Sequence, residues 1–339
     1  MKTFFSPGRW PWLLRHELRL GWRGLGGKSI WFMLVAGGLL WIVFHFAAWL
    51  ALSDGKITDA TTMQTHGTML AGAAFWLMAS FMVSQTMAHA VASLFDRGDL
   101  DLLLSSPLSQ RAIFTVRGAG IAIAASLMPV AFVLPFAHVG LFAGKPGLLA
   151  IYPVIISAAL GCASLGMLFT MSLVRWLGAR RAKTVAQILA AFIGAGFFIL
   201  SQSTNWISTD NQRRISAWIK TQLLDDGWLA QDSLLWWPVR AMSGEMLPLL
   251  FVMLIGVGGF WLVVNLTYRR FVTGTQESVI GGRTRAKINK PQKPFRTGFV
   301  TTLLTKEWKM IARDPQLISQ TLLQLLYILP LLLLGFRGD

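Results

Sequence analysis

The chain has 339 residues, of which 54% are hydrophobic and only 14% are charged, and its formal net charge is +16. Soluble domains carry about 25% charged residues, and nucleic-acid-binding proteins become basic through a high charge density, so both classes are excluded. A multi-pass membrane protein explains the combination, because its Lys and Arg residues collect in cytoplasmic loops. The single cysteine, Cys162, excludes a disulfide framework and a cysteine-based zinc site.

Seven uncharged apolar segments are long enough to cross a bilayer, which takes roughly 20 helical residues. They predict an all-α polytopic membrane protein, built from a six-helix transmembrane module plus the first helix of a second module. The predicted spans are residues 31–52, 68–89, 121–142, 148–174, 185–202, 247–268 and 317–336.

The positions of the basic residues predict the orientation. Of the 31 Lys and Arg residues, 24 lie before the first span or after the second, fourth and sixth spans. By the positive-inside rule these segments are cytoplasmic, so we expect a multi-pass protein of the cell (inner or plasma) membrane with a cytoplasmic N-terminus. The long outer segment predicts an amphipathic helix capped by Asp210 or Asn211, lying either at the membrane surface or against the other spans.

A pattern in the N-terminal arm occurs again 290 positions later. Leu14, Glu17 and Arg19 belong to a basic amphipathic helix before the first span, and Glu307 and Lys309 occupy the equivalent positions before the seventh. Six spans follow the first copy and one follows the second. We therefore expect two six-span modules in tandem, of which this partial chain holds the first and the opening of the second.

The segment between the second and third spans is nearly neutral, unlike the other cytoplasmic segments. Its leucines follow helical spacing, which predicts a short amphipathic helix with an apolar ridge. A proline then ends this helix, and Ser109 can cap the helix that leads into the third span. The residues that carry this pattern are Asp96, Arg97, Gly98, Leu100, Leu103, Leu104 and Pro107.

This acidic-Arg-Gly sequence, the leucine-rich helix and the following Ser-Pro-Leu-Ser turn resemble the coupling region of type 2 ATP-binding-cassette (ABC) exporters. The basic helix before the first span likewise resembles the amphipathic elbow helix of such permeases, and tandem forms with two modules exist in that family. The resemblance implies a permease subunit that translocates its substrate while a separate ABC-type ATPase subunit hydrolyses ATP. The chain itself would then not be an enzyme.

The expected domain plan combines these features. Residues 1–30 form the cytoplasmic elbow helix, and residues 31–268 form the six-span module with coupling loop 93–111 and outer loop 203–246. Residues 269–302 form a basic cytoplasmic linker, and residues 303–339 form the elbow helix and first span of a second module. The expected partners are the ATPase subunit, membrane lipids and a second permease half, with no nucleic acid. The alternative for the coupling loop is a surface helix that only covers the second and third spans.

The alternative function is a stand-alone intramembrane enzyme or channel. It requires polar residues that converge within the spans, and the candidates Gln85, Ser164, Gln202 and Asn265 form no recognisable catalytic constellation. We therefore expect no catalytic site.

Nucleotide, metal and cofactor sites are also not expected. The glycine-rich segment before the first span departs from a phosphate-binding loop at Trp22, and the five histidines lack metal-ligand spacing. His45, His89 and His138 lie within or at the ends of spans, where a polar ring needs a partner or a cavity. They are either packed, hydrogen-bonded neutral rings or residues of a transport pathway.

Overall fold

The structure is a computed structural model, and almost all of the residues that it describes are helical. Among the described residues we number ten helices in chain order. They are α1 (Trp10–Arg23), α2 (Gly27–Ser53), α3 (Ala60–Val91), α4 (Gln110–Phe142), α5 (Ile151–Leu177), α6 (Thr184–Ile193), α7 (Thr209–Leu224), α8 (Trp237–Met242), α9 (Met246–Tyr268) and α10 (Phe299–Ile311). The described residues are 10–23, 27–53, 60–93, 103, 105–106, 108–177, 182, 184–193, 196, 209–224, 230, 233–268, 299–311, 321–322, 324–325 and 328.

Five helices, α2, α3, α4, α5 and α9, are long and apolar enough to cross a membrane. They coincide with five of the predicted spans, which confirms the all-α polytopic class. Helix α6 occupies the start of the predicted fifth span, and most of the rest of that span lies outside the described residues. The predicted seventh span also lies largely outside them, as does the linker over 269–298.

The third membrane helix begins well before its predicted span. Helix α4 starts at Gln110, whereas the uncharged apolar run starts near residue 121. Ser109 caps it as predicted, because its hydroxyl accepts a hydrogen bond from the amide of Ala112 at 3.3 Å. The helix therefore includes two cations that the sequence pattern assigns to the preceding loop, Arg111 and Arg117.

Close backbone contacts hold the transmembrane core together. Helix α5 packs against α3, α4 and α9 around buried side chains that include Met82, Phe114 and Met167. A Cβ atom added at Gly166 of α5 would lie 2.7 Å from Oγ1 of Thr86 on α3, so only glycine permits this approach. Gly166 thus allows close packing between α3 and α5.

The outer segment contributes both an exposed helix and a buried one. Helix α7 confirms the predicted amphipathic helix, but it begins at Thr209, so both predicted caps lie inside its first turn. Helix α8 follows a 3₁₀ turn at Leu234–Trp236, in which Trp236 packs on Gly72 of α3. The indole Nε1 of Trp76 donates to the carbonyl oxygen of Leu235 at 3.0 Å. This part of the outer segment is therefore fastened to α3.

Candidate functional site

Helix α1 packs across the first turns of α4. Leu13 of α1 is only 1% exposed and forms a buried cluster with Ile113 and Val116 of α4. Trp12 and Leu14 are partly buried beside it. Part of the apolar face of α1 is thus covered by protein, whereas Trp10, Leu18 and Leu20 are exposed. We call the region formed by α1, residues 103, 105, 106, 108 and 109 and the first two turns of α4 the elbow junction.

The end of the predicted coupling loop belongs to the same region. Leu103 and Leu108 pack against the cluster of α1 and α4. The hydroxyl of Ser106 donates to the carbonyl oxygen of Leu103 at 2.6 Å, and the amide of Ser106 donates to the same oxygen at 3.1 Å. The loop therefore makes a hydrogen-bonded turn just before Ser109 caps α4.

A buried ion pair joins α1 to α4 in the elbow junction. Nη1 of Arg117 lies 3.2 Å from Oε1 of Glu17, and the two side chains are 1% and 9% exposed. The same nitrogen donates to Oγ of Ser93, at the end of α3, at 3.5 Å. Two opposite charges removed from water in this way must be paired, since either one alone would be strongly destabilising. The pair therefore fixes how α1 sits on α4.

The structure brings some of the predicted site residues together and separates others. Leu14 and Glu17 lie in the elbow junction, whereas Arg19 is exposed. Glu307 and Lys309 are exposed on α10, which confirms a helix where the second copy of the pattern is predicted. Leu103 packs against α1 and α4, so in this structure it is not part of a free apolar ridge. The predicted residues that lie outside the described part of the chain are Asp96, Arg97, Gly98, Leu100, Leu104 and Pro107.

The sequence pattern alone does not identify Arg117 as a site residue. It counts there as one more cytoplasmic cation. A signal is nevertheless present, because Arg117 lies four residues from both Ile113 and Ile121 and therefore shares their face of the helix. A single cation at such a position in an apolar stripe predicts a buried charge that needs a partner.

The described residues offer few reactive groups. Among them, no three His, Cys, Asp or Glu side chains lie close enough to hold a metal ion. Cys162 is buried, and its thiol lies 3.8 Å from the carbonyl oxygen of Ala79. The hydroxyl of Ser164 donates to the carbonyl of Leu160 in its own helix. These contacts are structural, and they join α3 to α5 or satisfy α5 internally.

The number and order of the apolar helices can be compared with known families. The family model for membrane proteins of 12 TMs (transmembrane segments) matches residues 30–338. The chain belongs to this family. The match begins within the first turn of α2, so it covers all five described membrane-crossing helices of this 12-TM family member but not α1. No curated protein and no solved structure matches the chain.

Proposed function

We propose that this 12-TM family member is the permease subunit of an ATP-driven ABC transporter, most simply an exporter, in a cell (inner or plasma) membrane. The observation that carries the proposal is the elbow junction, in which the predicted coupling loop and the elbow helix pack on one membrane helix. A partner that pushes on the loop would move α1 and α4 together through the Leu13 cluster and the pair of Glu17 and Arg117. Such a linkage is what a transporter driven from its cytoplasmic side requires.

In this proposal a separate ABC-type ATPase subunit hydrolyses the ATP, and the permease chain is not itself an enzyme. In this proposal Asp96, Arg97 and Leu104 of the coupling loop would insert into a groove of that subunit. Leu103 would instead hold the loop on the elbow junction, because it packs against α1 and α4. This division of roles separates docking residues from positioning residues within one loop.

The second proposed partner is a second permease half. On α10, Leu303 and Leu304 are 46% and 64% exposed, whereas Leu13, the counterpart of Leu303, is 1% exposed. A second module would cover this face as α4 covers α1, and Glu307 would meet a buried cation as Glu17 does. A family of proteins with 12 transmembrane segments accommodates two such six-span halves.

Membrane lipids are the third proposed partner. Most side chains described along α2 are exposed, and large apolar groups such as Leu39, Ile42 and Phe46 are about 60% exposed. Apolar area of this extent on a helix of membrane-crossing length is stable only in hydrocarbon or against another membrane helix. Lipid chains therefore solvate most of α2 in the proposed assembly.

The test uses the full chain co-expressed with the ABC-type ATPases of its source organism. We expect an ATPase subunit to co-purify with the wild type, and we expect Leu104→Asp to weaken this association about tenfold or more, because a charge would enter an apolar docking contact. Leu234→Asp is the matched control, since Leu234 is 59% exposed in the outer segment. It should leave co-purification unchanged.

Two results would contradict the proposal. One is unchanged co-purification and unchanged stimulated ATP hydrolysis in the Leu104→Asp variant. The other is ion conduction or cleavage of a membrane substrate by the purified chain without any ATPase, which would favour the alternative of a stand-alone channel or intramembrane enzyme.

A further inference from the structure

Three polar side chains from three helices meet away from the elbow junction. Nε2 of His45 on α2 lies 3.1 Å from Nδ1 of His138 on α4. Nε2 of His138 in turn is hydrogen-bonded to the hydroxyl of Tyr152 on α5. The other ring nitrogen of His45, Nδ1, lies 2.8 Å from the carbonyl oxygen of Trp41 in the preceding turn. Two histidines that are far apart in the sequence thus form one hydrogen-bonded chain.

The backbone carbonyl at one end fixes the direction of this chain. A carbonyl oxygen only accepts, so Nδ1 of His45 must carry a hydrogen, and in the neutral ring Nε2 is then an acceptor. Nδ1 of His138 must donate to it, which leaves Nε2 of His138 as the acceptor for the Tyr152 hydroxyl. Each of the four ring nitrogens is satisfied, and the neutral state has a single arrangement of protons.

The same hydrogen-bonded chain can bind one more proton. When the Tyr152 hydroxyl turns, its oxygen can accept instead of donate, and a proton from water can bind Nε2 of His138. His138 is then an imidazolium that donates to Tyr152 through Nε2 and to His45 through Nδ1. The positive charge can pass to His45 when the proton between the two rings crosses the 3.1 Å contact. No hydrogen bond of the chain is lost in either form.

A second added proton does not fit. It would place an N–H group on each side of the 3.1 Å contact between the rings and two positive charges next to each other. The chain of hydrogen bonds also ends at Trp41, because its carbonyl oxygen cannot pass a proton onward. The two histidines therefore form a proton-binding site and not a proton-conducting pathway.

Within the described residues of these three helices, the histidines are the groups that respond to pH near neutrality. Residues 31–52, 118–142 and 151–174 of the three helices contain no Asp, Glu, Lys or Arg, and all of them are described. Between 118 and 174 the single charged residue is Lys145, in the turn after α4. Tyr152 is the titratable group that contacts the pair, and the Trp41 ring lies against both histidines. Imidazole gains its proton between about pH 5 and 8, whereas a phenol does not lose one there.

The site lies near the ends of α4 and α5 that residues 143–150 connect. His138 lies four residues before the end of α4, which is about 6 Å along a helix, and Tyr152 is the second residue of α5. Tyr152 is 37% exposed. We propose that His45 and His138 form a binding site for one proton, held between α2 and the pair of helices α4 and α5.

The test is nitrogen NMR of the full-length protein with ¹⁵N-labelled histidine in lipid nanodiscs, titrated from pH 8 to pH 5. We expect a scalar splitting between one nitrogen of His45 and one of His138, transmitted through the shared hydrogen bond. We also expect the pair together to take up one proton per chain. The splitting is measured on the wild type, so this part of the test does not depend on any variant.

Substitutions assign the nitrogen NMR signals and test whether the two histidine rings share a hydrogen bond. In His45→Gln and in His138→Gln the splitting should disappear, because each variant lacks one of the two coupled nitrogens. The matched control is His16→Gln, because His16 is exposed on α1 and stacks on Trp12. It should not alter the signals of the pair. Uptake of two protons by the pair, or absence of the splitting in the wild type, would overturn the proposal.

Discussion

The guanidinium group of Arg117 on α4 lies 3.2 Å from the carboxylate of Glu17 on α1, and both side chains are almost fully buried. This contact ties the segment that precedes the first membrane helix to the start of the third. Because Leu103 and Leu108 pack on the same cluster, the loop between α3 and α4 is held by the same contact region. The elbow junction is therefore a single packed unit, and its stability should depend on the ion pair.

We expect Glu17→Gln to destabilise the protein by about 3–5 kcal/mol, because Arg117 would stay buried without its carboxylate partner. Thermal unfolding of the purified protein in detergent, followed by a thiol-reactive fluorophore at Cys162, measures the change. Arg19→Gln is the control on the same helix. Arg19 is exposed, so its substitution should alter the free energy of unfolding by no more than about 0.5 kcal/mol.

A second variant separates the ion pair from simple loss of packing. Replacing both residues, Glu17→Leu together with Arg117→Leu, removes both buried charges and should recover most of the stability that Glu17→Gln loses. If the double variant is as unstable as the two single variants added together, the two residues act independently. That result would contradict a pair that fixes α1 on α4.

The predicted membrane helices and the elbow junction differ in how far the sequence determines them. Helices α2, α3, α5 and α9 are predictable because roughly 20 apolar residues without charge have one stable arrangement in a bilayer. Helix α4 extends further than predicted because a helix can continue past the apolar run, with Arg117 inside the protein. Its pairing with Glu17 depends on how α1 and α4 are rotated about their axes. Hydropathy does not specify this rotation.

The histidines show the same limit. The spacing of the histidines along the sequence excludes a pair at i and i+4 on one helix. His45 and His138 nevertheless meet, because α2 and α4 cross where the two rings face each other. Their contacts with Trp41 and Tyr152 agree with the alternative of packed, hydrogen-bonded rings, and a role in a transport pathway stays a prediction. Only the identity of the partners required the three-dimensional structure.

We expect Gly256→Ala to destabilise the contact between α5 and α9 by about 1–3 kcal/mol. Gly256 lies in the π-helical turn Leu254–Gly258 of α9, directly against the backbone carbonyl of Ser157 on α5. An added methyl group would collide with backbone atoms, which cannot rotate away. Thermal unfolding again provides the measurement.

Gly259→Ala is the matched control in the same helix. A Cβ atom there would meet no other atom within 4 Å, so alanine should be neutral or should stabilise the helix by about 0.5–1 kcal/mol. Equal stability of the two variants would show that α5 and α9 do not approach as closely as described.

We expect the thiol of Cys162 to react with a maleimide only when α3 and α5 separate. It is buried between these helices, with its sulfur 3.8 Å from the carbonyl oxygen of Ala79. A protein stable by about 5 kcal/mol opens globally in fewer than about one molecule in a thousand, so labelling of the folded protein should be slow. Ser105→Cys, at an exposed position of the loop, should react rapidly under the same conditions. Rapid reaction of the wild type would contradict the burial of Cys162.

The proposed orientation predicts a difference between two exposed cations that lie at opposite ends of α5. Lys145 lies in the turn before it, and Arg175 lies in its last turn. Because most Lys and Arg residues fall on the side of Arg175, the positive-inside rule places Arg175 in the cytoplasm and Lys145 outside. A membrane-impermeant maleimide added to intact cells should therefore label Lys145→Cys and not Arg175→Cys. Both variants should react equally after the membrane is permeabilised, which controls for local accessibility. Labelling of Arg175→Cys alone in intact cells would reverse the orientation, and the elbow junction would then face away from any cytoplasmic ATPase.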